Sequence, residues 1–190
     1  MKVLAINGSC RKDGNTAILI NRAFKALEAE GIETEMVQLA GEIIRGCVDC
    51  GYCKLAKDGK CAINNDPINE IIQKMIQADG IILGSPTYFA DISPELKALI
   101  DRTGRVCRCA GNVLKYKPGA AVIAVRRGGA IHAFDSINHY FQIQEMIIPG
   151  CNYWNIGFGG PSGQVAEDDE AMATMRILGE NMAYLLKKLQ

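Results

Sequence analysis

Four cysteines fall within fifteen residues: Cys47, Cys50, Cys53 and Cys61, in the pattern C-x2-C-x2-C-x7-C. Thiolates this close in sequence can converge on one centre. Gly46, Gly51 and Gly59 give the intervening backbone the freedom to wrap it. Three readings compete. A 4Fe–4S cluster suits four soft thiolates in one compact loop, and C-x2-C-x2-C is a cluster-binding run whose fourth ligand comes from elsewhere; Cys61 is near enough to supply it. A structural zinc also takes four cysteines, but commonly from two separated knuckles. The third is free thiols or an adventitious disulfide. The spacing ranks the cluster first.

A second stretch could hold an anion. Residues 7–16 read Asn7-Gly8-Ser9-Cys10-Arg11-Lys12-Asp13-Gly14-Asn15-Thr16, and a helical pattern follows. The free N–H groups and positive dipole end of a helix start favour phosphate. Ser9, Asn15 and Thr16 can donate hydrogen bonds, and Arg11 can add charge. The G-K-[ST] ending of a nucleoside-triphosphate loop is missing, and so is G-x-G-x-x-G. The plain alternative is a polar connection with Ser or Thr caps. The later glycine-rich residues 157–163 do not clearly open a helix and read as a turn.

The elements that must position these residues alternate. Apolar runs at residues 2–6, 33–39, 80–83, 120–125 and 153–156 read as strands. Helical spacing covers residues 16–30, 67–77, 94 to about 103, 133–146 and 169–189. Gly31 stops the first helix, Ser93 caps the third, and Lys187 and Lys188 suit the end of the last. Five strands alternating with five helices imply an α/β doubly wound, flavodoxin-like parallel sheet of order 2-1-3-4-5, in one domain over residues 1–190. Residues 41–67 are too long for a plain connection and form a cysteine-rich insertion after the second strand. In that strand order, the insertion emerges on the same sheet edge as the loop after the first strand.

Composition excludes several classes. The chain has 190 residues, with 21 basic and 21 acidic side chains. A zero net charge argues against a nucleic-acid or anionic-membrane surface. Eight cysteines in 190 residues fall below the density of a disulfide scaffold. No apolar run is long enough for a signal-peptide core or a membrane span. The expected setting is a reducing cytoplasm, where clustered cysteines mean metal or redox chemistry more often than disulfides.

The loop at residues 8–16 resembles the G-S-x-R-x-x-G-N-T loop of the NADPH-dependent FMN reductase and flavodoxin-like flavoprotein superfamily. Gly84-Ser85-Pro86-Thr87-Tyr88-Phe89, then Leu96-Lys97-Ala98-Leu99-Ile100-Asp101-Arg102, is similar to its S-P-x-Y-(F/W) loop and L-K-x-x-I-D-R run. Arg126-Arg127-Gly128-Gly129 is a third match. Cys10 departs from the pattern, standing where a proline or small residue is usual. The resemblance implies that Ser9, Arg11, Asn15 and Thr16 hold an FMN phosphate. It implies that Ser85, Pro86, Thr87, Tyr88 and Phe89 lie along the flavin ring, with Gly128 and Gly129 close to it. For Tyr88 and Phe89 the plain alternative is core packing. The cysteine motif resembles that of the iron–sulfur flavoproteins, a branch of the same superfamily, with Cys47, Cys50, Cys53 and Cys61 as metal ligands. A homodimer or homotetramer, with the cluster of one subunit approaching FMN of a neighbour, is implied as well.

Other residues read blandly. Cys107, Cys109 and Cys151 have no ligand spacing. His132 and His139 lack a paired nucleophile, and Cys10 lacks a local base. Asp101 and Arg102 read as a cap or pair at a helix end, the acidic residues 167–170 as a helix start, and Trp154-Asn155 as edge packing. No catalytic side chain is expected, because the flavin would carry the chemistry. The leading expectation is an FMN-dependent oxidoreductase with a 4Fe–4S cluster, fed by ferredoxin or NAD(P)H and passing electrons to a small-molecule acceptor. The alternatives are an NAD(P)H-dependent FMN or quinone reductase without a cluster, and a flavodoxin-like electron carrier.

Overall fold

The apolar runs at residues 2–7, 80–86 and 119–125 become the largely buried central strands of a parallel sheet, whose outer strands at residues 33–38 and 156–158 are partly exposed. In the computed structural model, which describes residues 1–189, the strands are β1 (Lys2–Asn7), β2 (Glu33–Gln38), β3 (Gly80–Pro86), β4 (Gly119–Val125) and β5 (Ile156–Phe158). Their order is β2-β1-β3-β4-β5, every neighbour parallel, as expected. The helices are α1 (Asn15–Ala29), α2 (Tyr52–Ala56), α3 (Ile68–Gln77), α4 (Pro94–Cys109), α5 (Ala130–Ile143) and α6 (Asp169–Lys188). A 3-10 turn at Gln164–Glu167 precedes the last.

Two cores flank the sheet. Leu4, Ile6, Leu83 and Ile123 pack against α3, α4 and α5. Val3, Ala5, Ile82 and Val122 pack against α1 and α6. The alternation of side chains along each strand sends these residues to opposite faces. All strands run the same way, so the loops after β1, β2, β3 and β4 share one edge.

Several elements depart from expectation, among them β3, which runs on past Leu83 to Pro86. β5 lies at Ile156–Phe158, not 153–156. Tyr153 and Trp154 are exposed and pack on each other, ring centroids 4.8 Å apart, ahead of the strand. α4 continues past Thr103 to Cys109. Gly104 is a packing residue there: a Cβ at this position would lie 3.2 Å from the Tyr140 ring. α5 starts three residues early, because Gly129 serves as its N-cap in a left-handed conformation (φ 87°). α2 lies within the cysteine-rich insertion, entered through left-handed Gly51 and left through left-handed Lys57.

Candidate functional site

The loop after β1 is braced from three sides. Gly8 N–H donates to Gly84 O (2.8 Å), Gln38 Nε2 donates to Ser9 O (2.6 Å), and Asn7 Nδ2 donates to Gln38 Oε1 (2.6 Å). The Ser9 hydroxyl accepts the Arg11 N–H (3.1 Å) and the Asn7 carboxamide oxygen accepts the Ser9 N–H (3.1 Å). Residues 10–13 are exposed, whereas Ser9, Asn15 and Thr16 are buried. The first-turn N–H groups of α1 have no acceptor within the helix.

Asn15 has a role the sequence hid. Its Nδ2 donates to Gly159 O (2.9 Å) and Pro161 O (3.0 Å), and its Oδ1 accepts from Gly163 N (2.9 Å). The carboxamide therefore ties the glycine-rich turn after β5 to the start of α1. What Asn15 offers an anion is its backbone N–H. Thr16 turns its methyl toward Gly84, where an added Cβ would lie 2.9 Å from it.

The loop after β3 carries local strain. Phe89 (φ 47°) and Ala90 (φ 64°) are both left-handed, although neither is glycine. They are the central residues of a tight turn closed by Tyr88 N to Asp91 O (2.8 Å) and Asp91 N to Tyr88 O (3.0 Å). Left-handed non-glycine residues are costly and cluster at binding sites. The turn sets Phe89 fully into solvent and leaves Tyr88 38% exposed, so neither packs in the core. Gly129 fits beneath it, where a Cβ would come within 2.9 Å of the Ala90 Cα. Around Gly128 there is open space.

Not every residue of this loop faces outward. Ser85 is fully buried, donating to Pro86 O (2.7 Å) and accepting from Ser93 N (2.9 Å). Thr87 N–H is taken by Ala124 O (2.9 Å). With Tyr88 and Asp91 paired across the turn, the N–H groups of Phe89 and Ala90 are those left for a ligand. Cys10 Sγ lies 2.9 Å from Tyr88 Oη and joins this loop to the one after β1. Burial, then Cys10, pushes the Tyr88 phenol up to about 12. Burial alone would raise the Asp91 carboxyl. The Ile92 N–H (2.7 Å), the Ser136 hydroxyl (2.8 Å) and His132 (3.8 Å) outweigh it and hold Asp91 below the usual carboxylate range.

Cys47, Cys50, Cys53 and Cys61 line one small cavity together with Arg102 and Arg105. All four are free thiols, with Cys47 and Cys50 exposed. The cavity holds about 20 Å³, roughly the room of one water. Among the described residues no three His, Cys, Asp or Glu side chains converge tightly enough to hold a single metal ion. The donor chemistry of four thiols suits an iron–sulfur centre, and the cavity borders the exposed residues 47–50.

Two neighbours of this cavity escaped the sequence reading. Arg102 lies inside α4, not at a helix end, and is buried with its guanidinium turned to the cysteine loop. Cys109, at the last turn of α4, is a neighbour of Cys53; burial first, then Cys109, raises the Cys53 thiol. Pairings this distant leave no local pattern. Arg102 closes the L-K-x-x-I-D-R run and is a large cation in an otherwise apolar helix register, but neither trace points to the cysteines.

The profile of the NADPH-dependent FMN reductase family matches residues 1–160. An iron-sulfur flavoprotein of Methanocaldococcus jannaschii is 42% identical, with 100% of each chain covered. An iron-sulfur flavoprotein of Methanosarcina thermophila is 34% identical over 100% of this chain and 97% of its own. Among solved structures, the Trp repressor binding protein from Bacillus subtilis superposes with a TM-score of 0.69 at 21% identity, covering 93% of this chain and 98% of that one. An archaeal flavodoxin gives a TM-score of 0.64 at 16% identity, covering 98% and 99%.

Proposed function

The chain belongs to the NADPH-dependent FMN reductase family and is a flavin-dependent oxidoreductase; from this we propose that it is an iron–sulfur flavoprotein exchanging electrons between FMN and a 4Fe–4S cluster held by Cys47, Cys50, Cys53 and Cys61. The observation that carries the reading is the gathering of these four free thiols around one cavity, against the second half of α4. Two arginines in its wall suit a centre built from thiolates.

FMN, when bound, supplies two-electron chemistry at its ring together with one-electron exchange, so no protein nucleophile is required. The phosphate is assigned to Ser9, the N–H groups of Asn15 and Thr16 at the start of α1, and the exposed Arg11. The ring is assigned to the loop from Ser85 to Phe89, with Tyr88 and Phe89 along it and Ser85, Pro86 and Thr87 fixing the loop's path. Gly128 leaves the open backbone that a flat ring needs for close approach, and Gly129 lets the turn at Phe89 and Ala90 lie against it. The buried hydroxyl of Ser85 and the carboxamides of Asn7, Asn15 and Gln38 hold these loops without contact to the ring. A ferredoxin-like protein or NAD(P)H supplies the electrons and a small molecule accepts them. Assembly into a homodimer or homotetramer would cover the apolar side chains exposed around this edge, including Ile43, Leu55 and Phe89.

Replacement of one thiol tests the ligand set. Cys50→Ser protein, purified anaerobically, should lose its iron and the broad visible absorption beneath the flavin bands while keeping FMN. Iron retained at the wild-type level would show that the ligand set is wrong. Rapid flavin bleaching by NADPH in iron-free wild-type protein would instead favour a reductase without a cluster.

A further inference from the structure

Arg102 is the largest fully buried side chain among the described residues, and its guanidinium lies in the wall of the cysteine cavity. Its donors divide between two tasks. Nη1 donates to Arg45 O (3.1 Å) and pairs with the Asp66 carboxylate, and Nη2 donates to Ile63 O (2.8 Å). These contacts hold the two ends of the cysteine loop together. Nε–H is left over, and it points to the sulfur of Cys61 at 3.4 Å.

Cys61 is otherwise held by its backbone. Asn69 of α3 accepts the Cys61 N–H (2.7 Å) and donates to Cys61 O (3.0 Å). Its place is therefore fixed without any help from Arg102. A clamp for the loop ends would need no donor aimed at sulfur. Burial pushes the guanidinium down, but Asp66 and Cys61 more than offset that, so it stays charged.

We propose that Arg102 is a positioning residue that raises the reduction potential of the iron–sulfur centre, by giving a charged N–H···S hydrogen bond to the Cys61 ligand; the inference rests on the ligand reading above. One-electron reduction adds one negative charge to a centre already surrounded by thiolates. A hydrogen bond to a ligand sulfur and a fixed cation beside it favour that more negative form. Lysine would not replace it, since only the fork of arginine can serve Asp66, two carbonyls and the sulfur together.

The test is an anaerobic potentiometric titration of the iron-loaded protein, followed by the paramagnetic signal of the reduced centre. Arg102→Met alone would strand Asp66 as a buried charge, which is strongly destabilising. The variant is therefore Arg102→Met with Asp66→Asn, checked by circular dichroism and FMN content. Its one-electron reduction constant should fall at least tenfold, a drop of about 59 mV. Asp66→Asn alone keeps the arginine and removes its countercharge, so it should shift the potential upward. Loss of structure would not give opposite signs.

An unmoved potential in the folded, iron-loaded double variant overturns the proposal. Loss of iron from the folded double variant overturns it too, because Arg102 would then only retain the ligand. Wild-type protein that takes up no iron overturns the ligand reading beneath it.

Discussion

Cys107 is fully buried between α4 and the sheet, and burial pushes its thiol up to about 12. Only the thiolate is nucleophilic, so it should be inert near neutral pH. In iron-free native protein, iodoacetamide should modify exposed Cys10, Cys47 and Cys50 well before Cys107. Site-resolved mass spectrometry would read the order; early labelling of Cys107 would mean that α4 opens readily. Arg11 makes the opposite case. It is exposed, and close enough to Tyr88 to lower that phenol. A charged hydrogen bond is worth about 1.5–3 kcal/mol, so Arg11→Ala should weaken FMN binding by roughly tenfold to a hundredfold. Flavin fluorescence titration measures this, and an unchanged affinity would remove Arg11 from the phosphate site.

The turn after β3 should respond to acid. Ionised Asp91 accepts from Ile92 and Ser136 and is held below its ordinary value. The stability it contributes is present above about pH 3.9 and is lost as pH falls through the lower folded-state value. The difference in melting temperature between wild type and Asp91→Asn should stay constant down to about pH 4 and then close. A gap that widens on acidification contradicts the assignment. The packing of α1 on α6 is set by Gly179, where a Cβ would collide with the Ala23 carbonyl oxygen. Gly179→Ala should destabilise by about 1–3 kcal/mol, read by urea denaturation; a neutral result would mean that the two helices can separate at little cost.

Elements made of local pattern were the legible ones. Apolar runs marked β1 to β4, Ser93 marked the start of α4, and the matched loops fell at strand ends. The limits of that reading are physical. Tyr153 and Trp154 have strand-like composition, yet pack on each other outside the sheet. Gly104 resembles a helix stop, yet makes room for Tyr140 inside α4. Asn15 looked like a phosphate donor, while its carboxamide pairs with a turn 144 residues away. Arg102 and Cys109 reach the cysteines only because α4 packs behind their loop. No sequence window contains these contacts.

Taken whole, the molecule carries the loops assigned to FMN at the strand ends of a parallel sheet and the four cysteines in the insertion after β2, packed on α4. Buried β1 and β3 fix the loops assigned to FMN, while the cysteine loop leaves the end of the outer strand β2. Among the described residues no helix is long and apolar enough to cross a membrane. Cofactor loops and gathered thiols suit electron transfer better than acid–base catalysis. Everything specific in this account depends on whether the four cysteines hold iron. Metal and acid-labile sulfide analysis of anaerobically purified wild-type protein, normalised to flavin, tests that most directly. The account predicts about four irons and four sulfides per chain alongside FMN; flavin without iron, even after anaerobic reconstitution, would contradict it.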